Sequence, residues 1–213
     1  MVKNFIKRFI PLDTLPLFLG VIVSNFMVYY GCRLINLNRL HYPIGWPLDD
    51  AIPFVPFFIV FYLLAFAQWA ISYLVLANQE KEFCFRMFTG AMIAKWLCLL
   101  FFIALPTTMT RPEVTGTDFF SWVTKMIFAM DRPDNLFPSC HCLESWICIR
   151  VAFGSRTMGK WYRYVMTGFS ILVFASVLLV KQHVFPDVIG GIAVAELGLF
   201  IARLLPLPKR WRS

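Results

Sequence analysis

Apolar residues gather along this chain into six runs: about Leu15 to Ile35, Phe54 to Leu76, Met87 to Leu105, His141 to Phe153, Tyr164 to Val180 and Val188 to Leu205. A helix that spans a bilayer needs about 20 mainly apolar residues, and five of the runs approach that length. The fourth is short and carries Glu144 and Arg150. Parity argues for it all the same. Without it the two ends of the chain, both basic, would lie on opposite sides of the membrane.

With six helices the connections separate by charge. One side holds the N-terminus, the 78–86 loop, "GSRTMGKWYR" from Gly154 and the terminal "PKRWRS". The other holds the 36–53 and 106–138 loops and the stretch from Lys181 to Asp187. In the 106–138 loop Glu113, Asp118, Asp131 and Asp134 outnumber Arg111, Lys125 and Arg132. The excess of Lys and Arg marks the cytoplasmic side. The expectation is therefore an all-α, polytopic membrane protein with six transmembrane helices and both termini cytoplasmic. It forms a single integral membrane domain over residues 1–213. The basic start lacks a small-residue cleavage site, so the first helix is read as retained.

Composition supports this reading. Hydrophobic residues make up 59% of the 213 and charged residues 15%, with a mean hydropathy of +0.68. A soluble domain carries about 45–50% apolar and about 25% charged residues. The net charge of +8 sits largely at the ends, in Lys3, Lys7, Arg8, Lys209, Arg210 and Arg212. Such clusters flanking apolar spans set topology and touch anionic lipid, so the expected partner is the bilayer and not nucleic acid. Six scattered cysteines do not describe a disulfide framework. "SCHC" at 139–142 lacks the spacing of a zinc site, so no metal is expected.

Candidate chemistry lies on the outer face. In "FPSCH", Pro138 ends any preceding helix and Ser139 is a good N-cap, which puts His141 in a first helical turn. Glu144, one turn deeper, needs a partner, either His141 or Arg150. In "KQHVFPD", Pro186 suits the first turn of a helix, with His183 just before it and Asp187 just inside. A carboxylate so close can take the imidazole's second N–H and fix its tautomer. Gly190 and Gly191 permit close packing at the start of that helix. Arg111 and Lys181 add positive charge on the same face, and arginine holds phosphate through paired hydrogen bonds. Two inward-running helices would also present N-terminal N–H groups there, which favour anions. The set describes a site that binds a phosphate ester and transfers it. The 36–53 loop, with Tyr42, Trp46, Asp49 and Asp50, is read as a surface stretch anchored by aromatics, the alternative being a cap over the cavity.

At these residues the sequence resembles the type-2 phosphatidic acid phosphatase superfamily, which includes relatives such as the sphingomyelin synthases. Its motifs read Lys-x6-Arg-Pro, Pro-Ser-Gly-His and Ser-Arg-x5-His-x3-Asp. Here "PSCH" matches the second except at Cys140, whose backbone N–H replaces that of glycine. "SVLLVKQHVFPD" matches the third at Ser176, His183 and Asp187, with Val177 in place of arginine and Lys181 as the candidate for the missing charge. For the first motif, "KMIFAMDRP" fits letter for letter at Lys125 and Arg132 but ends close to Ser139. Arg111-Pro112 has the better position, with Ala104 where the lysine belongs. The resemblance covers about residues 87–205.

The resemblance implies catalysis by His141, His183 and Asp187, with Arg111, Lys181, Ser139 and Cys140 on phosphate and no metal or other cofactor. His183 would attack phosphorus and His141 would serve the leaving and incoming oxygens. The expected activity is that of a membrane-bound lipid phosphatase acting on a phospholipid or isoprenoid phosphate at the outer side of the plasma membrane. Head-group transfer or phospholipase C-like cleavage is the first alternative. A non-catalytic lipid transporter or scaffold is the second.

Overall fold

The computed structural model describes residues 10–211. Lys3, Lys7, Arg8 and Arg212, used in the charge argument, lie outside the described residues. Within them the chain forms eight α-helices: α1 (Leu15–Asn36), α2 (Pro47–Ala51), α3 (Ile59–Ala77), α4 (Lys81–Ala104), α5 (Phe119–Met130), α6 (Cys140–Gly154), α7 (Lys160–Leu179) and α8 (Phe185–Leu204). Five of them are long and apolar enough to cross a membrane: α1, α3 with the 3₁₀ turn Pro56–Phe58 before it, α4, α7 and α8. Their outward faces expose large apolar side chains such as Leu19, Phe26, Leu64, Phe66, Leu100 and Phe200, as hydrocarbon-facing helices do. The chain is thus all-α, with the apolar helices an integral membrane protein requires.

The fourth run forms α6, but its 15 residues span only about 22 Å at 1.5 Å each, less than a hydrocarbon core of about 30 Å. It packs against α3, α4, α7 and α8 and is buried along most of its length. A helix wrapped in protein needs no lipid-compatible surface, which is why its composition departs from that of a span. Helices α4, α7 and α8 begin three to six residues before the apolar runs that announced them. The runs mark apolar composition, and the helices extend beyond it into polar first turns such as Lys81–Arg86.

A close crossing joins α4 to α8 through small residues. A Cβ at Gly198 would lie 2.6 Å from the Gly90 carbonyl oxygen and 2.7 Å from the Ala94 Cβ. Helices in lipid associate through such close backbone approach. The expected 106–138 loop contains a further helix, α5. Asp118 caps it, with Oδ1 accepting from the Phe120 and Ser121 N–H groups at 3.0 and 3.2 Å. Its outward side shows Phe119, Trp122, Met126 and Met130, and Ser121 and Thr124 are buried. At 12 residues it is too short to span, and its amphipathic pattern forms no long apolar run.

Glu144 finds neither His141 nor Arg150. It pairs with Lys95 of α4 and accepts from the Tyr73 hydroxyl at 2.6 Å, all three groups being buried. Arg150 instead faces Glu196 at 3.5 Å near the surface. Two charges enclosed in the bundle tolerate loss of one partner poorly, because the other is left uncompensated. Lys95→Met is expected to destabilise the protein by about 3–5 kcal/mol. The double variant Lys95→Met/Glu144→Gln should recover most of that loss. Thermal unfolding in detergent of the single and double variants checks this, and an equally unstable pair of proteins would count against the ion pair.

Candidate active site

Two helix N-termini meet at one end of the bundle. Ser139 caps α6, its Oγ accepting the Cys142 N–H at 3.3 Å and its carbonyl the Leu143 N–H at 3.0 Å. Its own N–H donates 3.0 Å to the carbonyl of Asp187 in the first turn of α8. The approach is close enough to require glycine. A Cβ at Gly191 would lie 2.4 Å from the Ser139 carbonyl oxygen, and one at Gly190 would enter the Phe137 ring. The Ser139 N–H thus joins the two helices, while its Oγ and carbonyl cap α6. The N–H groups of Cys140 and His141, in the first turn of α6, have no acceptor within that helix. Cys140 has no positive φ, so the backbone here makes no demand for glycine.

Asp187 is fully buried. Its Oδ2 accepts the Val184 N–H at 3.0 Å and lies 3.1 Å from His183 Nδ1. A carboxylate only accepts, so Nδ1 carries the proton and Nε2 keeps a free lone pair. The other Asp187 oxygen, Oδ1, has no partner. Across from this pair, the His141 ring stacks on Tyr62 at 4.1 Å and 18°, with Trp69 and Phe66 edge-on at 5.0 and 5.5 Å. Its Nε2 is buried and unpartnered. The two imidazole centroids are 6.5 Å apart.

Arg111 reaches the same place from the loop before α5. One terminal nitrogen donates to the Asp131 carbonyl and the other to Gln182 Oε1, and the guanidinium lies over Phe128 at 4.5 Å. Burial lowers its pKa, partly offset by Asp131 and Asp134 nearby. Of the alternatives for the first motif, Lys125 is exposed and bonds the Gly116 carbonyl, and Arg132 is exposed. Lys181, expected on phosphate, is turned elsewhere. It sits in the left-handed region with φ 52°, and its Nζ donates to the carbonyls of Asp49 and Ile52 at 2.8 and 2.6 Å.

Those bonds fasten the 36–53 loop across the end of α7 and α8. Asp49 Oδ1 also accepts the Phe185 N–H at 2.7 Å, and Trp46 packs on the Phe185 ring at 5.9 Å. The Trp46–Phe185 contact and polar bonds on both sides of His183 hold the stretch against the bundle. Farther along, Tyr42–Pro43 pairs in parallel with Thr107–Thr108. Tyr62, Trp69 and Lys95 had no sequence signal of their own, because a single polar or aromatic residue inside an apolar run does not reveal which way it faces, and Gln182 was overshadowed by the charged Lys181 and His183 on either side of it. Among the described residues no three His, Cys, Asp or Glu side chains converge as metal ligands would.

The chain matches no family model, no curated protein and no solved structure.

Gly191→Ala should push α6 from α8 and lower stability by about 1–3 kcal/mol, the usual cost of overpacking. Gly168, with nothing within 4 Å of its would-be Cβ, is the control. Gly168→Ala should be neutral or stabilising, since glycine weakens a helix interior. Thermal unfolding of both variants checks the contrast, and equal effects would show that the close approach is not what Gly191 serves.

Proposed function

We propose that this protein is a histidine-based phosphoesterase of the membrane, acting on a lipid phosphate such as a phospholipid or an isoprenoid phosphate. The observation that carries the reading is the pair of imidazoles 6.5 Å apart at joined helix N-termini, one of them bound to a buried carboxylate. The rings are near enough for one phosphoryl group bound at the joined helix ends to meet both imidazoles.

In the first step the lone pair on His183 Nε2 attacks phosphorus. The N–P bond forms as the bond to the leaving oxygen breaks, and His141 gives that oxygen a proton. In the second step His141 takes a proton from the incoming water, whose oxygen attacks phosphorus. The N–P bond then breaks, and its electron pair returns to His183. Asp187 stabilises the positive imidazole, and Arg111 with the Cys140 and His141 N–H groups meets the charge on the phosphoryl oxygens.

The membrane arrangement belongs to the same proposal. In this reading α6, enclosed by its neighbours, serves as a sixth crossing, and the charge pattern of the connections favours cytoplasmic termini with the two histidines at the outer face of the plasma membrane. The aromatic wall of Tyr62, Phe66 and Trp69 around His141 favours a second reading of the second step, in which an alcohol replaces water. Phe66 is both in contact with His141 and exposed on the outward face of α3, so an alcohol with an apolar chain has a matching surface.

Purified protein incubated with phosphatidic acid, an isoprenoid phosphate or a phosphodiester lipid should release its phosphoryl or alcohol product. Release of inorganic phosphate that ignores added alcohols would remove the transfer reading. His183→Ala should lose about 10²-fold or more in turnover. His141→Ala should lose about 10²–10⁴-fold, most with poor leaving groups. Full activity in both variants would remove the histidine mechanism, and no product release by the wild-type protein from any of these lipids would leave a transporter or scaffold as the better account.

A further inference from the structure

Three consecutive side chains leave the α7–α8 turn in different directions. Lys181 adopts a left-handed backbone conformation, and the N–H groups of Gln182 and His183 both return to the Val177 carbonyl, at 2.9 and 3.0 Å. This tight turn sends Lys181 to the 36–53 loop, His183 to Asp187 and Gln182 inward to Arg111. Gln182 is only 2% exposed. A guanidinium has donors and no acceptor, so the end of the amide facing Arg111 is the oxygen. The Nε2 end is left buried and without a partner.

Arg111 is held as firmly. The Asp131 carbonyl, Gln182 Oε1 and the Phe128 ring fix the guanidinium plane, and Arg111 Nε is also buried and unpartnered. Two hydrogen-bonded side chains thus keep one idle donor each, beside the residue that carries the nucleophilic imidazole. Buried donors are nearly always satisfied, so a pair left open points to a ligand rich in acceptor oxygens. We propose that Gln182 is a ligand of the phosphoryl oxygens and at the same time the residue that positions Arg111. The neutral amide, and not the Lys181 ammonium, stands beside Arg111 on the phosphate. This rests on the phosphoesterase reading and adds to it a residue outside the matched motif positions.

Gln182→Glu separates the two roles. The glutamate is isosteric and still accepts from Arg111, but it has no N–H and brings negative charge towards the phosphate. With p-nitrophenyl phosphate and dioctanoyl phosphatidic acid as probes, Gln182→Glu and Gln182→Ala should each lose at least about tenfold in kcat/KM, in the direction of losing an oxyanion donor. Inhibition by orthovanadate should weaken by a similar factor, while the thermal unfolding of Gln182→Glu stays that of the wild type. Wild-type kcat/KM and vanadate inhibition in Gln182→Glu would overturn the ligand role, because a purely structural glutamine is replaced well by its isostere. His183→Ala keeps the two ideas apart. An active His183→Ala protein removes the phosphohistidine reading itself. An inactive one beside a fully active Gln182→Glu protein removes only the part played by Gln182.

Discussion

The hydrogen bond from the Ser139 N–H to the Asp187 carbonyl ties the start of α6 to the first turn of α8, and the candidate chemistry is built around that tie. It exists because Gly191 lets the two backbones approach to a distance no side chain would permit. Once they meet, His141 in one first turn and His183 at the lead-in to the other face each other without any further device. The same contact aligns two sets of N-terminal N–H groups, so the positive ends of two helix dipoles converge where an anion would sit. Spreading the helices by the width of a methyl group would carry the two imidazoles apart.

The bundle treats its buried charges in two ways. Lys95, Glu144 and Tyr73 satisfy one another inside the core, as groups enclosed among apolar helices must. The groups at the end of the bundle are left incomplete: Arg111 Nε, Gln182 Nε2, His141 Nε2 and Asp187 Oδ1 are all buried and unmatched. Lys181 shows the boundary between the two, since its charge is spent on holding the 36–53 loop.

Much of this was readable in the chain, for particular reasons. Long apolar runs gave α1, α3, α4, α7 and α8, because hydrocarbon leaves little choice of composition. Ser139 and Pro186 marked the starts of α6 and α8, because caps and prolines act on their own backbone. The His183–Asp187 pair followed from a four-residue spacing at a helix start. The partner of Glu144 was not readable, since Lys95 lies 49 positions earlier, inside an apolar run. Helix α5 escaped notice because an amphipathic segment between charged loops resembles neither a span nor a turn.

The sequence by itself determined the all-helical class, the membrane-length helices, the cap of α6 and the His183–Asp187 pair. These depend on residues within a few turns of one another. Only the tertiary structure decided that the two imidazoles lie 6.5 Å apart, that Glu144 belongs to Lys95, and that Lys181 turns to the 36–53 loop while Gln182 meets Arg111. Those outcomes depend on which helix faces which, a matter of packing between segments far apart in the chain. A single left-handed residue at position 181 then settled where three neighbouring side chains point, and composition carries no record of that turn.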